Sequence, residues 1–272
     1  MKFLIFILLI ISSVACNNNN SANDNNNVDK SSKPTPIINY AKTATYPHDT
    51  TSYTEGFLIH EGKFFESTGY DSSYPQTRSL FGELDLKTGR IAIKAELDRK
   101  KYFGEGIAFL NNKIYQLTYK TKIGFIYDVK TFKKEGEFTF PSAEGWGMTT
   151  DSTYLIMTDG TDKLTWIDPA SFQVIKTLDV TDENGTVKDI NELEYIKGFI
   201  YANVYQTNYV VKIDPSNGKV VGKFDFITLV NEQKNEFPGV KEMNGIAYNP
   251  ATSKMYVTGK LWPNIYEIQF GH

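Results

Sequence analysis

Apolar residues in this chain alternate with polar ones or gather in runs of four to eight rich in Tyr, Phe, Ile, Val and Thr, with Gly, Asn, Asp, Pro and Lys between the runs. That pattern predicts β-strands, whose successive side chains point to opposite faces. No long apolar stripe of period 3.6 competes with it. Five runs open on a similar acidic or amide-bearing motif: Tyr53-Thr54-Glu55-Gly56-Phe57, Phe103-Gly104-Glu105-Gly106-Ile107, Glu144-Gly145-Trp146-Gly147-Met148, Asn191-Glu192-Leu193-Glu194-Tyr195 and Asn244-Gly245-Ile246-Ala247-Tyr248. Counted from Glu55, Glu105, Trp146, Asn191 and Asn244, the intervals are 50, 41, 45 and 53 residues. Periods of roughly 40 to 50 residues with strand patterning indicate propeller blades.

Four repeats also carry a late turn between two strand-like runs, around Asp85, Asp128, Asp168 and Asp214. These turns are built from residues that tolerate positive φ or bond their own backbone. The fifth repeat ends one strand short, at Tyr266–Phe270, and the run 37–46 has the pattern to supply the missing strand. The expectation is an all-β, five-bladed β-propeller, its ring closed by an N-terminal strand pairing with the last blade, which leaves no long open sheet edge. The propeller domain is assigned to 37–272.

Ahead of it, Met1-Lys2 leads into the apolar run Phe3–Ile11 and then Ser12-Ser13-Val14-Ala15-Cys16, the form of a secretory signal. The single cysteine directly after small residues is placed as a lipidation site, so 1–16 is expected to be a lipoprotein-type signal peptide ending at Cys16. Residues 17–36, rich in Asn, Ser and Asp, have too little apolar surface for a core and are expected to be a flexible tether. The implied location is the bacterial cell envelope, facing periplasm or exterior, with a lipid on Cys16 holding the protein, expected as a monomer, to the membrane. With Cys16 modified no thiol remains, which removes disulfides and cysteine nucleophiles from the fold.

Lys and Arg number 29 against 32 Asp and Glu, a net charge of −3 with no basic cluster, so nucleic acid is not an expected partner. Three histidines, His48, His60 and His272, offer little for a zinc site, and His60 falls in an expected turn with Glu61 and Gly62. No metal or cofactor is assigned, although a structural calcium in the central channel stays open because oxygen ligands are plentiful.

Seven motifs, in order, make the chain recognisable: Phe103-Gly104-Glu105-Gly106-Ile107, Gln116-Leu117-Thr118-Tyr119, Gly145-Trp146-Gly147-Met148-Thr149, Asn191-Glu192-Leu193-Glu194-Tyr195, Ala202-Asn203-Val204-Tyr205, Asn244-Gly245-Ile246-Ala247-Tyr248 and Thr258-Gly259-Lys260-Leu261-Trp262-Pro263. From about Tyr46 to Phe270 the chain resembles the plant-type (papaya latex type) glutaminyl-peptide cyclotransferases and their bacterial relatives. The resemblance implies a five-bladed propeller that converts the N-terminal glutamine of peptides or proteins to pyroglutamate with loss of ammonia, without zinc. It carries the family's catalytic acid onto Glu105, and Asn191 and Lys260 match two further family positions. Trp146 matches a family tryptophan, whereas Tyr119 and Tyr205 stand where the plant proteins usually have tryptophan.

That chemistry needs neither a serine or cysteine nucleophile nor a metal. The substrate's α-amine attacks its own side-chain carboxamide, so most of the task is positioning. An α-amine with a pKa of about 7.7 to 8.0 is mostly protonated at neutral pH, and a carboxylate can take its proton and later deliver it to the departing ammonia. Glu105 is assigned that shuttle; its alternative role is to cap a strand end. Asn191 and Lys260 are expected to hold the carboxamide oxygen as negative charge develops. Glu55 is assigned to the substrate amine or to a supporting hydrogen bond, and Tyr119, Trp146 and Tyr205 to the pocket wall. Glu192 and Glu194, on the face of a regular strand opposite Asn191, offer a partner to orient Lys260; Trp262 reads as structural. Two rivals stand beside this reading. One is a ligand- or protein-binding propeller lipoprotein, which would leave these groups scattered; the other is a calcium-dependent lactonase with Glu55, Glu105, Asn191 and Asn244 around one ion.

Overall fold

Residues 33–271 are described by a computed structural model of the chain; Cys16, the proposed signal and most of the tether lie outside them. The repeat reading holds: five four-stranded antiparallel sheets follow one another. Their inner strands are Thr54–His60, Gly104–Leu110, Met148–Thr150, Ile190–Ile196 and Met243–Asn249. Each inner strand adjoins the next around the ring, and Met243–Asn249 adjoins Thr54–His60. In the fifth sheet the outermost strand is Tyr40–Pro47, paired antiparallel with Asn264–Phe270.

Five apolar clusters fill the five blade interfaces. Leu58, Phe65 and Phe81 of the first blade pack with Ile107, Phe109 and Phe125 of the second. At the interface of the fourth and fifth blades the cluster includes Tyr201, Phe224, Met243, Trp262 and Tyr266. Between the fifth and first it is the smallest, reduced to Phe57, Leu84, Ala247, Tyr256 and Ile265. Burial of aliphatic and aromatic side chains supplies most of the cohesion elsewhere; polar contacts, described below, supplement it at this seam.

The late turns are built as expected. Asp85, Asp128, Asp168 and Asp214 accept hydrogen bonds from backbone N–H groups two or three residues on. These bonds at Asp85 and Asp168, and the Thr131 and Ser216 hydroxyls together with them at Asp128 and Asp214, hold the carboxyls below the ordinary range. One element is unexpected: a helix, Ile227–Glu236, in the connection to the fifth inner strand. It buries only Leu229, Val230 and Gln233, too narrow a face to leave a periodic signal in the sequence. His60 is likewise not in a turn. It ends the first inner strand and stacks on Phe109 at 4.4 Å, with the turn beginning at Glu61.

The functional motifs sit on irregularities. The inner strands of the first, second, fourth and fifth blades break register at Thr54/Gly56, Gly104/Ile107, Ile190/Leu193 and Met243/Ile246. Glu55, Glu105, Asn191 and Asn244 lie within these bulges, which bend a strand and re-aim a side chain. In four repeats the next residue is glycine, and the ring centre shows why: a Cβ on Gly106 would lie 2.4 Å from the Met148 nitrogen, and one on Gly147 would lie 2.4 Å from the Asn191 carbonyl oxygen. The fourth repeat has Glu192 instead. Its carboxylate accepts from Phe57 N at 3.1 Å and Ile246 N at 2.8 Å, tying the fourth blade to the first and fifth.

Candidate active site

Where the inner strands begin, the ring opens into a cavity of about 170 Å³ lined by Tyr53, Glu55, Asp71, Phe103, Glu105, Tyr119, Trp146, Asn191, Tyr205 and Lys260. All seven side chains assigned to catalysis or substrate binding from the sequence are present, drawn from five blades. A binding-only ring with these groups scattered is not what the chain builds.

Glu55 and Lys260 form an ion pair that is almost fully buried. Lys260 Nζ donates to Glu55 Oε1 at 2.7 Å, and Asn244 Nδ2 donates to Glu55 Oε2 at 3.0 Å. Both Glu55 oxygens are therefore engaged by protein donors. The ammonium also sits 4.7 Å from the Tyr53 ring centroid and 5.4 Å from that of Tyr205, favourable positions for a cation over aromatic faces. Burial works against the Lys260 charge, yet the Glu55 and Glu105 carboxyls more than offset it and raise its pKa.

Glu105 is 4 % exposed. Ser67 Oγ donates to its backbone carbonyl at 2.5 Å, but its carboxyl has no hydrogen-bond partner among the described residues. Burial, reinforced by the Glu55 charge, raises that carboxyl well above its ordinary range, with Lys260 opposing only in part. Burial also lifts Glu55, to about 7, against the pull of Lys260. Two carboxyls thus face one cation. The two donors at Glu55 favour its ionised form, whereas burial without a donor favours the protonated form of Glu105.

Asn191 is 3 % exposed, and its Oδ1 is buried without a partner among the described residues. A buried amide oxygen left unpaired is costly, so it is poised for an incoming N–H. Its position is secured through the backbone, where Thr158 Oγ1 donates to its carbonyl at 3.0 Å. Trp146 stands edge-on to Tyr205, centroids 5.4 Å apart, and its Nε1 donates to Glu144 Oε2 at 3.0 Å. Gly160, at φ +77°, lies where a Cβ would strike the indole at 2.4 Å, which explains a glycine there. Tyr119 packs at 5.8 Å from Phe103, and Phe103 at 6.0 Å from Tyr53.

Two expectations need correction. Neither Glu192 nor Glu194 orients Lys260: Glu192 spans the ring centre, and Glu194 accepts from Thr149 Oγ1 at 3.2 Å. The strand alternation that linked them to Asn191 fails because the bulge lies between. The four groups proposed around a calcium ion do not form such a ring, since Lys260 and Asn244 Nδ2 occupy the Glu55 oxygens with donors. Among the described residues no cluster of three His, Cys, Asp or Glu is placed to hold a metal. Trp262 is wholly buried, with Nε1 donating to the Lys241 carbonyl at 2.9 Å, and is structural. Tyr53, Phe103 and Asp71 were missed as lining residues. The first two flank the motif acids; Asp71 lies in the loop after Lys63–Thr68 and has no sequence signal.

The glutamine cyclotransferase family model matches residues 8–270 of this chain. A curated glutaminyl-peptide cyclotransferase of Arabidopsis thaliana is 34% identical over 229 residues, spanning 83% of this chain and 69% of the relative. The crystal structure of the Myxococcus xanthus glutaminyl cyclase aligns with a TM-score of 0.79 at 31% identity, covering 88% of this chain and 98% of that one. A match across nearly the whole domain, in fold and in sequence, makes this chain a member of the glutamine cyclotransferase family.

Proposed function

We propose that the protein is a glutaminyl-peptide cyclotransferase that converts the N-terminal glutamine of peptides or proteins to pyroglutamate and ammonia by metal-independent acid/base catalysis. The observation that carries this reading is the buried, donor-free carboxyl of Glu105 beside the Glu55–Lys260 pair and the unpaired amide oxygen of Asn191, all in one cavity. The glutamine side chain lies against Trp146, Tyr119 and Tyr205, its carboxamide oxygen toward Lys260 and an N–H toward Asn191 Oδ1. The α-amine reacts in its neutral form, its ammonium proton lost to solvent. Its nitrogen bonds to the side-chain carbonyl carbon, and the oxygen gains negative charge opposite Lys260. Glu105 in its ionised form takes a proton from the attacking nitrogen, now cationic, and passes it to the amide nitrogen; the carbon–nitrogen bond breaks and ammonia leaves. The proton taken equals the proton returned, so no other reactant is needed.

An ammonia-release assay on a short peptide beginning with glutamine, with and without chelator, tests this. Release that persists in chelator is expected. No release would sink the activity, and release abolished by chelator would sink the metal-independent route.

Export and lipidation at Cys16 belong to the same reading: a monomer tethered to the cell envelope and acting on N-termini outside the cytoplasm. Among the described residues no helix is long and apolar enough to cross a membrane, so attachment would rest on the N-terminal segment. Cys16→Ser should move the protein from membrane to soluble fraction; an unchanged distribution argues against the anchor.

A further inference from the structure

The Glu55–Lys260 pair spans the seam between the first and fifth blades. Glu55 rides on the first inner strand, and Lys260 on the loop between Lys254–Gly259 and Asn264–Phe270. That loop is held in a strained form, with Leu261 at φ +60°, a conformation costly for a branched residue. Lys260 pairs through its backbone with the preceding connection, Lys260 N to Glu242 O and Lys241 N to Lys260 O, both at 2.9 Å, and two further backbone bonds tie the loop to the first blade's entry: Leu261 N donates to Ser52 O at 2.8 Å and His48 N to Pro263 O at 2.8 Å.

His48 adds a side-chain tie to the first blade. The ring is fully buried, with Nδ1 2.9 Å from the Trp262 carbonyl oxygen and Nε2 3.0 Å from Glu66 Oε2. Both nitrogens face acceptors, so both carry hydrogen and the ring is an imidazolium. Glu66, on the second strand of the first blade, also accepts from Thr54 Oγ1 at 2.8 Å. Thr54 directly precedes Glu55, and its carbonyl accepts from Asn244 Nδ2 at 3.0 Å. One continuous run of bonds therefore joins the lysine loop, through Trp262, His48, Glu66 and Thr54, to the bulge that carries Glu55. None of these four residues lines the cavity.

We propose that His48, with Glu66, is a positioning residue for the reaction: it fixes the lysine loop relative to the Glu55 bulge so that the Lys260 ammonium meets the developing oxyanion. This rests on the cyclisation reading, and acts on turnover more than on substrate affinity, because the oxyanion exists only past the ground state. The backbone bonds at Ser52 and Pro263 do not depend on the His48 side chain, so its removal leaves the seam other means of folding.

The test is a double-mutant cycle read by ammonia release from a glutaminyl dipeptide amide, below the melting temperature of every variant. His48→Gln is expected to lower kcat about tenfold with KM changed less than about threefold. In a Lys260→Ala background the same substitution is expected to change kcat by less than about twofold, since its route of action is gone. Equal losses in both backgrounds, or full turnover in folded His48→Gln, would overturn the proposal. Should His48→Gln fail to fold, Glu66→Gln goes through the same cycle and decides by the same outcomes. The wild-type protein in the same assay separates this result from failure of the cyclisation reading itself.

Discussion

The two sides of the cavity solve different problems. On the seam side, Glu55 and Lys260 are locked: Nζ and both carboxylate oxygens are bonded, and behind the pair lie Thr54, Glu66, His48 and Asn244, whose Nδ2 is bonded although its Oδ1 has no partner among the described residues. On the flanking blades, Glu105 and Asn191 are buried with free bonding capacity, one carboxyl with no donor and one amide oxygen without a partner among the described residues. The locked side supplies a fixed positive charge, which need not move during the reaction. The unsatisfied side keeps the capacity to exchange protons and to bond a substrate, at a cost to stability. The smallest apolar cluster lies at the seam, where both ends of the propeller chain meet, and there a polar network stands in for missing hydrophobic area.

The largest expected effect falls on the unsatisfied side. Glu105→Gln removes the proton carrier at nearly constant shape and should lower kcat by about 10²-fold or more. The same variant should gain stability at neutral pH. Its raised folded pKa means the native carboxyl keeps a proton that the unfolded chain releases above its ordinary value near 4.5. Wild-type stability therefore falls as pH rises from that value toward the folded pKa. Melting curves of both proteins across pH check the sign, and a variant of normal rate or of lower stability at pH 8 would dissolve the contrast between the two sides.

Next comes Lys260→Ala, expected to lose about 10²- to 10³-fold in kcat, as for an oxyanion donor. It leaves Glu55 buried without its cation, but Glu55, lifted to about 7 even beside Lys260, can take a proton. The stability loss should thus be smaller at pH 6 than at pH 8, where the carboxylate would be both buried and uncompensated. A loss independent of pH would show that the pair is not locked as described.

Glu192→Gln is a test at the ring centre, outside the cavity. One of its two backbone N–H partners, on Phe57 or Ile246, would face an NH₂ group, and a loss of about 1 to 3 kcal/mol in chemical denaturation is expected. Unchanged stability would mean the blades do not depend on that carboxylate. The smallest effect concerns His48, whose pKa is raised because Glu66 and the Trp262 carbonyl outweigh burial, with Asp49 adding to the rise. A raised histidine stabilises fully below its unfolded value of about 6.5 and loses that contribution as pH passes through the folded pKa. The stability gap between wild type and His48→Gln should therefore narrow on the alkaline side, and a gap that widens there contradicts the imidazolium.

Much of this was legible in the residues. Alternating apolar runs, five motifs at near-constant spacing and four Asp-led turns led to the five blades, since local turn chemistry and strand periodicity are short-range properties. The motif residues Glu105, Asn191 and Lys260 were found as well, and their family resemblance assigned roles that strand patterning could not. The helix Ile227–Glu236 was hidden because three buried residues leave too weak a stripe. Glu192 was misplaced because a bulge has no distinctive sequence and shifts every later side chain by one position.

What the sequence determined by itself is the repeat: which segments become strands, where they turn, and that each blade opens on a polar group. What only the tertiary structure decided is how those groups divide the work. The pairing of Glu55 with Lys260, the raised pKa of the Glu105 carboxyl and the His48–Glu66 tie depend on burial and on neighbours up to about two hundred residues away in the chain. Electrostatics inside a fold follows distance and desolvation, and neither is written in the order of the residues.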